Sequence, residues 1–177
     1  MAELLIGCGS SREKKLFEKG RAEWSALTTL DFSGRHRPDI LYDISQIPLP
    51  FEDDSYDEIH AYDVLEHVGT QGDYKFFFSQ FQDFWRILRP GGLFFGICPH
   101  PSSPWAWGDP GHTRAIAPES FVFLNQPSYA NVGKNPMTDY RFCYTADFDV
   151  VFSKTTAEMQ HLFALRAVKP SRWSPTE

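Results

Sequence analysis

Residues 3–11 read Glu-Leu-Leu-Ile-Gly-Cys-Gly-Ser-Ser, a short apolar run that ends in a glycine-rich turn. The apolar run predicts a buried strand. Because glycine has no β-carbon, Gly7, Cys8 and Gly9 predict a tight turn whose backbone a ligand can approach closely. We predict a short helix over residues 12–19, capped by a serine of the turn. The free amide groups at its start would suit a carboxylate or a phosphate.

Further strands are indicated by apolar or alternating runs. They cover residues 25–31, 39–43, 56–62 and 93–98, followed by 148–153 and 161–168, which are spaced for an antiparallel hairpin. Only seven residues separate the second strand from the third, too few for the usual crossover helix. This order favours an α/β fold with a mainly parallel sheet and a terminal hairpin.

One long helix between these strands has a clear amphipathic pattern. Its apolar face is formed by Tyr74, Phe77, Phe78, Phe81, Phe84, Trp85 and Leu88. Pro90-Gly91-Gly92 marks its end. A second, short helix is predicted over residues 118–124.

Composition excludes several classes of protein. The chain has 177 residues, with 17 basic and 23 acidic side chains and a formal charge of -6. Extended binding to nucleic acid or to an anionic membrane is disfavoured, because both need a basic surface. No apolar run approaches the ~20 residues of a transmembrane helix, and the chain does not start with a signal-peptide pattern. The three separated cysteines fit neither a disulfide framework nor a zinc site. We therefore expect a cytoplasmic protein with reduced thiols.

Carboxylates follow three of the predicted strands, and ligands of parallel α/β sheets bind beyond the carboxyl ends of the strands. Asp31 lies twenty-two residues after Gly9, the distance at which nucleotide-binding folds accept hydrogen bonds from ribose hydroxyls. Asp43 with Ile44 is placed to bind an adenine ring, and Asp63 ends the fourth strand. The alternative for each aspartate is a turn, a cap or a solvated strand end.

The loop after the fifth strand is the candidate substrate wall. His100 and His112 are candidate bases. Trp105 and Trp107 could stack on a planar acceptor, and Arg114 could hold a carboxylate or a phosphate. The alternative is that the tryptophans cap the core and that the histidines fasten the loop.

One histidine-containing segment is interpreted as structural, and a second is not predicted to bind a metal. In the Val-Leu-Glu-His segment at residues 64–67, we expect Glu66 to cap a turn. His100, His112 and Asp109 have the spacing of no common metal site, so no metal site is predicted.

Five segments, taken in order, carry a family resemblance: LLIGCGSS, LTTLDF, ILYDIS, IPLPFEDDSYDEIHAYDVLEHV and FWRILRPGGLFF. Over residues 4–100 the chain resembles class I S-adenosylmethionine-dependent methyltransferases, in the branch with a VLEH segment and a PGG turn. The resemblance implies a Rossmann-like, mainly parallel seven-stranded sheet with helices on both faces, some of them shortened or missing here.

The same resemblance implies a cofactor site for S-adenosylmethionine, whose product is S-adenosylhomocysteine. The Gly7–Gly9 loop would lie against the amino-acid part of the cofactor, Asp31 would bind the ribose, and Asp43 with Ile44 the adenine. Asp63 would lie near the methionine part. A single domain over residues 1–177 would then consist of a cofactor-binding core at 4–98, a substrate-side region at 99–145 and a hairpin at 146–170.

Three functions are therefore considered. The first is a methyltransferase that acts on a small-molecule acceptor. The second is a non-catalytic module that binds S-adenosylmethionine or S-adenosylhomocysteine and acts with a partner protein; it is suggested by the short chain and by Leu5, which stands where the family often has an acidic residue. The third, a small NAD-dependent oxidoreductase, is disfavoured because Arg12 replaces the last glycine of the dinucleotide fingerprint.

Overall fold

In a computed structural model, residues 1–175 are described, so the last two residues of the predicted domain lie outside the described part. The strands are β1 Ala2–Ile6, β2 Ala26–Asp31, β3 Ile40–Leu41, β4 Tyr56–Tyr62, β5 Leu88–Pro99, β6 Phe148–Thr155 and β7 Gln160–Ala167. The α-helices are α1 Tyr74–Ile87 and α2 Pro104–Gly108, and 3₁₀ turns cover Gly34–His36, Leu65–His67, Pro118–Leu124 and Gln126–Asn131.

All seven strands form one sheet in the order β3-β2-β1-β4-β5-β7-β6. Strands β1 to β5 pair in parallel, whereas β7 lies antiparallel between β5 and β6. This arrangement confirms the predicted fold class, a Rossmann-like and mainly parallel sheet with a terminal antiparallel hairpin.

The first face of the sheet is covered by α1, as its amphipathic pattern predicts. The helix begins after Asp73, whose side chain accepts a hydrogen bond from the amide of Phe76. Phe78, Phe81 and Phe84 are buried against the sheet in the largest apolar cluster of the protein. Burial of such aromatic side chains supplies much of the energy that holds the helix in place.

The second face is covered without a helix, so the helix predicted over residues 12–19 is wrong. Residues 10–25, here called the covering segment, contain only turns, bends and irregular backbone. The hydroxyl of Tyr62 accepts a hydrogen bond from the amide of Leu16, and the indole of Trp24 donates to the carbonyl of Arg12. Side chains thus take the place of helical hydrogen bonds here.

A buried ion cluster ties the covering segment to the sheet. The ammonium of Lys14 lies 2.5 Å from a carboxylate oxygen of Glu3 on β1 and 2.9 Å from one of Glu58 on β4. His60 donates from Nε2 to the same oxygen of Glu58 and receives the hydroxyl hydrogen of Tyr62 on Nδ1. Burial lowers the pKa of His60, so its ring is neutral in this cluster.

Three smaller differences from the sequence predictions concern connections. β3 is only two residues long, and the link before it contains a single 3₁₀ turn at Gly34–His36, in agreement with a link too short for a crossover helix. The Pro90-Gly91-Gly92 segment lies within β5 rather than at the end of the helix, because the β4–β5 register shifts there. The element at 118–124 is a 3₁₀ turn.

The strand register brings the carboxyl ends of the central strands to one edge. Ile6 pairs with Leu30 on one side and with Ala61 on the other, and Tyr62 pairs with Ile97. The residues that follow these four strands are therefore neighbours. Within residues 1–175, no helix is both long and apolar enough to cross a membrane.

Candidate functional site

A pocket of about 560 Å³ opens at this edge of the sheet, and we call it the strand-end pocket. It is lined by Gly7, Leu30, Asp31, Phe32, Tyr42, Asp43, Ile44, Asp63, Val64, His67, Val68 and Gly111. Its volume lies within the ~300–1,000 Å³ typical of small-ligand sites. Five of the seven predicted cofactor residues line this pocket.

The other two predicted residues, Cys8 and Gly9, line a small adjoining pocket that shares Gly7 with the first. The turn is fastened to β2, because the amides of Gly7 and Cys8 both donate to the carbonyl of Leu30. The Cys8 side chain is buried on the second face of the sheet, where burial raises the pKa of its thiol. Cys8 therefore contributes its backbone to the site.

Gly7 occupies a position where any side chain would be strained and crowded. Its φ is +60°, in the left-handed region, and an added Cβ would lie 2.4 Å from a methyl group of Val64. The absence of a side chain lets the turn approach Val64 closely and leaves its backbone facing the pocket.

Asp31 holds the turn and borders the pocket. One of its carboxylate oxygens accepts the amide hydrogen of Gly9 at 2.9 Å, and the other accepts that of Ser33 at 2.8 Å. Only 4% of the residue is exposed. Since each carboxylate oxygen has two lone pairs, both oxygens retain an acceptor position for a ligand hydroxyl.

The remaining predicted residues, Asp43, Ile44 and Asp63, also line the strand-end pocket. Asp43 accepts the amide hydrogen of Ser45 in a local turn, while the side chain of Ile44 is buried beside it and gives the pocket an apolar surface. Asp63 has a φ of +53°, which is rare for a residue with a side chain, and lies 3.4 Å from the ammonium of Lys15.

A cluster of a carboxylate and two imidazoles adjoins the end of the pocket that His67 and Gly111 line, here called its far end. Glu66, His67 and His112 each offer one ligand atom, and these atoms lie within 4.8 Å of one another. His112 was predicted as a candidate base, whereas Glu66 was expected to cap a turn. That expectation is wrong, because both carboxylate oxygens of Glu66 are buried and have no hydrogen-bond partner among residues 1–175.

Hydrogen bonds to two backbone carbonyl groups hold this cluster together. The amides of Thr113 and Arg114 both donate to the carbonyl of Glu66, and the guanidinium of Arg114 donates to the carbonyl of Leu65. Burial is the main cause that raises the pKa of Glu66 to about 7; Asp63 adds to it, and the charges of His112 and Arg114 oppose it.

The other substrate-side residues lie apart from the strand-end pocket. His100 accepts the amide hydrogen of Ser102 at the end of β5. Trp105 and Trp107 on α2 are 71% and 60% exposed, and the indole of Trp107 donates to a loop carbonyl. Neither tryptophan lines the pocket, so their predicted role in stacking on an acceptor stays a prediction.

Arg114 lies in a second pocket of about 380 Å³ between α1 and residues 114–123, together with Tyr74 and Tyr140. Besides its bond to Leu65, the guanidinium donates to the side-chain oxygen of Gln80 at 2.5 Å. Burial lowers the pKa of Arg114 to about 10, which leaves the side chain charged at neutral pH.

Comparison with solved structures identifies the fold. A Mesorhizobium loti S-adenosylmethionine-dependent methyltransferase aligns with 93% of this chain and 89% of its own, at 16% identity and a TM-score of 0.56. A Haloferax volcanii complex of a methyltransferase with the activator Trm112 matches over 94% and 82% of the chains, at 15% identity and a TM-score of 0.57. Haemonchus contortus phosphoethanolamine N-methyltransferase 1, bound to phosphoethanolamine and S-adenosylhomocysteine, matches over 99% and 41%, at 12% identity and a TM-score of 0.58. The fold is therefore the Rossmann-like methyltransferase fold.

A family match agrees with this fold, although none of the curated proteins compared with the chain is significantly similar to it. Residues 4–96, more than half of the chain, match the family described as methyltransferase domain. The chain belongs to the methyltransferase-domain family, which confirms the resemblance to class I S-adenosylmethionine-dependent methyltransferases, whereas the branch with a VLEH segment and a PGG turn stays a prediction.

Proposed function

We propose that this protein is an S-adenosylmethionine-dependent methyltransferase and that the strand-end pocket holds the cofactor. The observation that carries the proposal is the convergence of Gly7, Asp31, Asp43, Ile44 and Asp63 on one pocket. Those residues were selected from sequence as the ones that bind such a cofactor, and they come from four different strand ends.

The chemistry of the pocket fits the cofactor. Asp31 keeps an acceptor position on each oxygen for the two ribose hydroxyls. Ile44 offers an apolar surface to an adenine ring, and the exposed Asp43 can accept from its amino group. The backbone of Gly7–Gly9 and the carboxylate of Asp63 would bind the charged amino-acid part of the cofactor.

The bound cofactor would supply an already activated methyl group, so the protein mainly has to position the acceptor. Alignment of this kind is worth up to ~7–11 kcal/mol of the barrier. The acceptor would enter from the side of His67 and Gly111, which line the far end of the pocket. Of the two predicted bases, His112 lies beside this end, with its ring 4.5 Å from that of His67 between centroids, so we assign the acceptor side to His112. The acceptor we propose is a small molecule.

Of the two alternatives, the binding module is the second candidate. One protein of similar fold is known in a complex with an activator protein, and α2 presents two exposed tryptophans that a partner could cover. The NAD-dependent alternative has no support from the family match. In addition, the guanidinium of Arg12 bonds the carbonyls of Gly9 and His36, where the fingerprint requires glycine.

Calorimetric titration with S-adenosylmethionine, S-adenosylhomocysteine and NAD tests the cofactor. We expect micromolar binding of the first two and no heat with NAD. Binding of NAD alone would contradict the proposal. A screen of small acceptors, read by the release of S-adenosylhomocysteine, then separates an enzyme from a binding module.

A further inference from the structure

The side-chain cluster of Glu66, His67 and His112 has the composition of a metal site. A carboxylate with two imidazoles is a ligand set for divalent first-row ions. We propose that these three residues bind a divalent transition-metal ion at the far end of the strand-end pocket. The ligands come from two separate loops, which is why the spacing of His100, Asp109 and His112 did not reveal them.

The distances suit one shared ion. Ligand atoms bound ~2.0–2.2 Å from a metal lie within ~4.4 Å of each other. The three side chains offer ligand atoms within 4.8 Å of one another, and three ligands of one tetrahedral ion lie roughly 3.3–3.6 Å apart, so shifts of up to about 1 Å bring them into range. The rings of His67 and His112 are 4.5 Å apart between centroids and nearly perpendicular, so they do not stack face to face.

Buried acceptor atoms without a hydrogen-bond partner favour a cation at this position. Glu66 is 2% exposed, yet neither of its carboxylate oxygens has a partner within the described residues. The Nδ1 atom of His112 is buried and likewise unpaired in residues 1–175. An unpaired buried carboxylate is costly, and a bound cation satisfies both groups at once.

Each histidine also has an outer partner that orients it. His67 Nδ1 lies 3.1 Å from the carbonyl oxygen of Gly111, which can only accept, so Nδ1 carries the hydrogen and Nε2 keeps its lone pair. His112 Nε2 faces the carboxylate of Asp109 at 3.9 Å, which leaves Nδ1 for the ion. Metal-bound histidines characteristically have such partners on their second nitrogen.

Three protein ligands leave coordination positions of the ion open. Because His67 and Gly111 line the strand-end pocket, these open positions lie beside that pocket. A hydroxyl or carboxylate oxygen of the acceptor can fill one of them. This assignment of an oxygen acceptor rests on the proposed function, whereas metal binding itself does not. With the ion in place, His112 is a ligand and acts on the acceptor through the metal.

Titration of the chelator-treated, tag-free chain with MnCl₂ and with ZnCl₂, in the absence of cofactor, tests the site. We expect one ion per chain, and nitrogen couplings from two imidazoles in the pulsed electron paramagnetic resonance spectrum of the Mn²⁺ complex. Glu66→Gln, which keeps the size of the side chain, and His112→Ala should each weaken binding at least tenfold. His100→Ala should leave it unchanged.

Two outcomes would overturn the site: no stoichiometric binding, or binding that Glu66→Gln and His112→Ala both retain. Circular dichroism of each variant excludes loss by unfolding, and His67→Ala serves as the alternative if either variant is unfolded. Titration of the same samples with S-adenosylmethionine keeps the two proposals apart, because a failed metal site leaves cofactor binding intact.

Discussion

Gly7 and Gly9 lie two residues apart in one turn, yet an added side chain would meet different surroundings at each. Both have positive φ, +60° and +51°. At Gly7 a Cβ would overlap Val64, whereas at Gly9 nothing in the described structure lies within 4 Å. The two positions therefore separate backbone strain from steric overlap.

Alanine substitutions should show this difference. Gly9→Ala should cost about 1–2 kcal/mol, the usual penalty of the left-handed region. Gly7→Ala should cost about 1–3 kcal/mol more, because Val64 must move. Urea unfolding followed by circular dichroism measures both. Equal losses would mean that the turn relaxes away from Val64.

Asp31 is the residue whose replacement most directly tests the cofactor site. Asp31→Ala should raise the dissociation constant of S-adenosylmethionine by a factor corresponding to about 1–3 kcal/mol, because ligand hydroxyls lose their acceptor. Asp53→Ala is the matched control, since Asp53 precedes β4 at the opposite edge of the sheet and its side chain is 73% exposed. Calorimetry gives both constants, and an unchanged value for Asp31→Ala would remove this residue from the site.

Individual residues also show how much of the candidate site could be predicted from the sequence. Asp31, Asp43 and Asp63 could be found because each ends a strand, and the carboxyl ends of parallel strands meet. Glu66 was misassigned because its role depends on a loop that begins more than forty residues later. The available signal was an adjacent Glu-His pair directly after a central strand.

Among the elements, the covering segment is fixed by long-range contacts rather than by its own pattern. Lys14→Ala would leave Glu3 buried without its cation and Glu58 with Arg21 alone, at 3.7 Å, and we expect a loss of about 3–5 kcal/mol. Lys15→Ala removes a neighbouring lysine whose one ion pair within residues 1–175 is partly exposed, so at most about 1 kcal/mol should be lost. Similar losses in denaturant unfolding for the two variants would contradict a structural role for the cluster.

The contrast between α1 and the covering segment explains which elements could be predicted. The aromatic residues of α1 repeat with helical periodicity, and the structure gives the helix within one residue of the prediction. In the covering segment the inward-facing residues Lys14 and Leu16 are two positions apart, which does not match a helix. Their partners Glu58 and Tyr62 lie more than forty residues away, beyond the reach of any local pattern.

For the whole molecule, acid stability should depend on the same cluster. Burial alone would raise the pKa of Glu58, but hydrogen bonds from His60 and Lys14 outweigh it and lower the pKa from 4.5 to about 2. Because the folded pKa is the lower one, this stabilisation is complete above about pH 4.5 and is lost as the pH falls towards 2.

The free energy of unfolding, measured from pH 6 to pH 2, should therefore decrease most steeply below pH 4.5. Glu58→Gln should flatten that decrease, since an amide does not titrate. Glu52→Gln, a substitution at an exposed site, is the control. An identical pH profile for the wild type and Glu58→Gln would show that the cluster does not control acid stability.

The covering segment has a further consequence for how the molecule opens. It contains neither helix nor strand, it begins directly after Gly9, and its deepest anchor is one ammonium group. Segments held in this way open in cooperative units with a smaller free energy than the sheet beneath them. We therefore expect the backbone amides of residues 10–25 to exchange their hydrogens with solvent before those of β1 and β4 do. When a ligand that bridges the turn and the sheet orders the covering segment, that segment loses conformational entropy. Part of the intrinsic affinity of the ligand therefore offsets this cost.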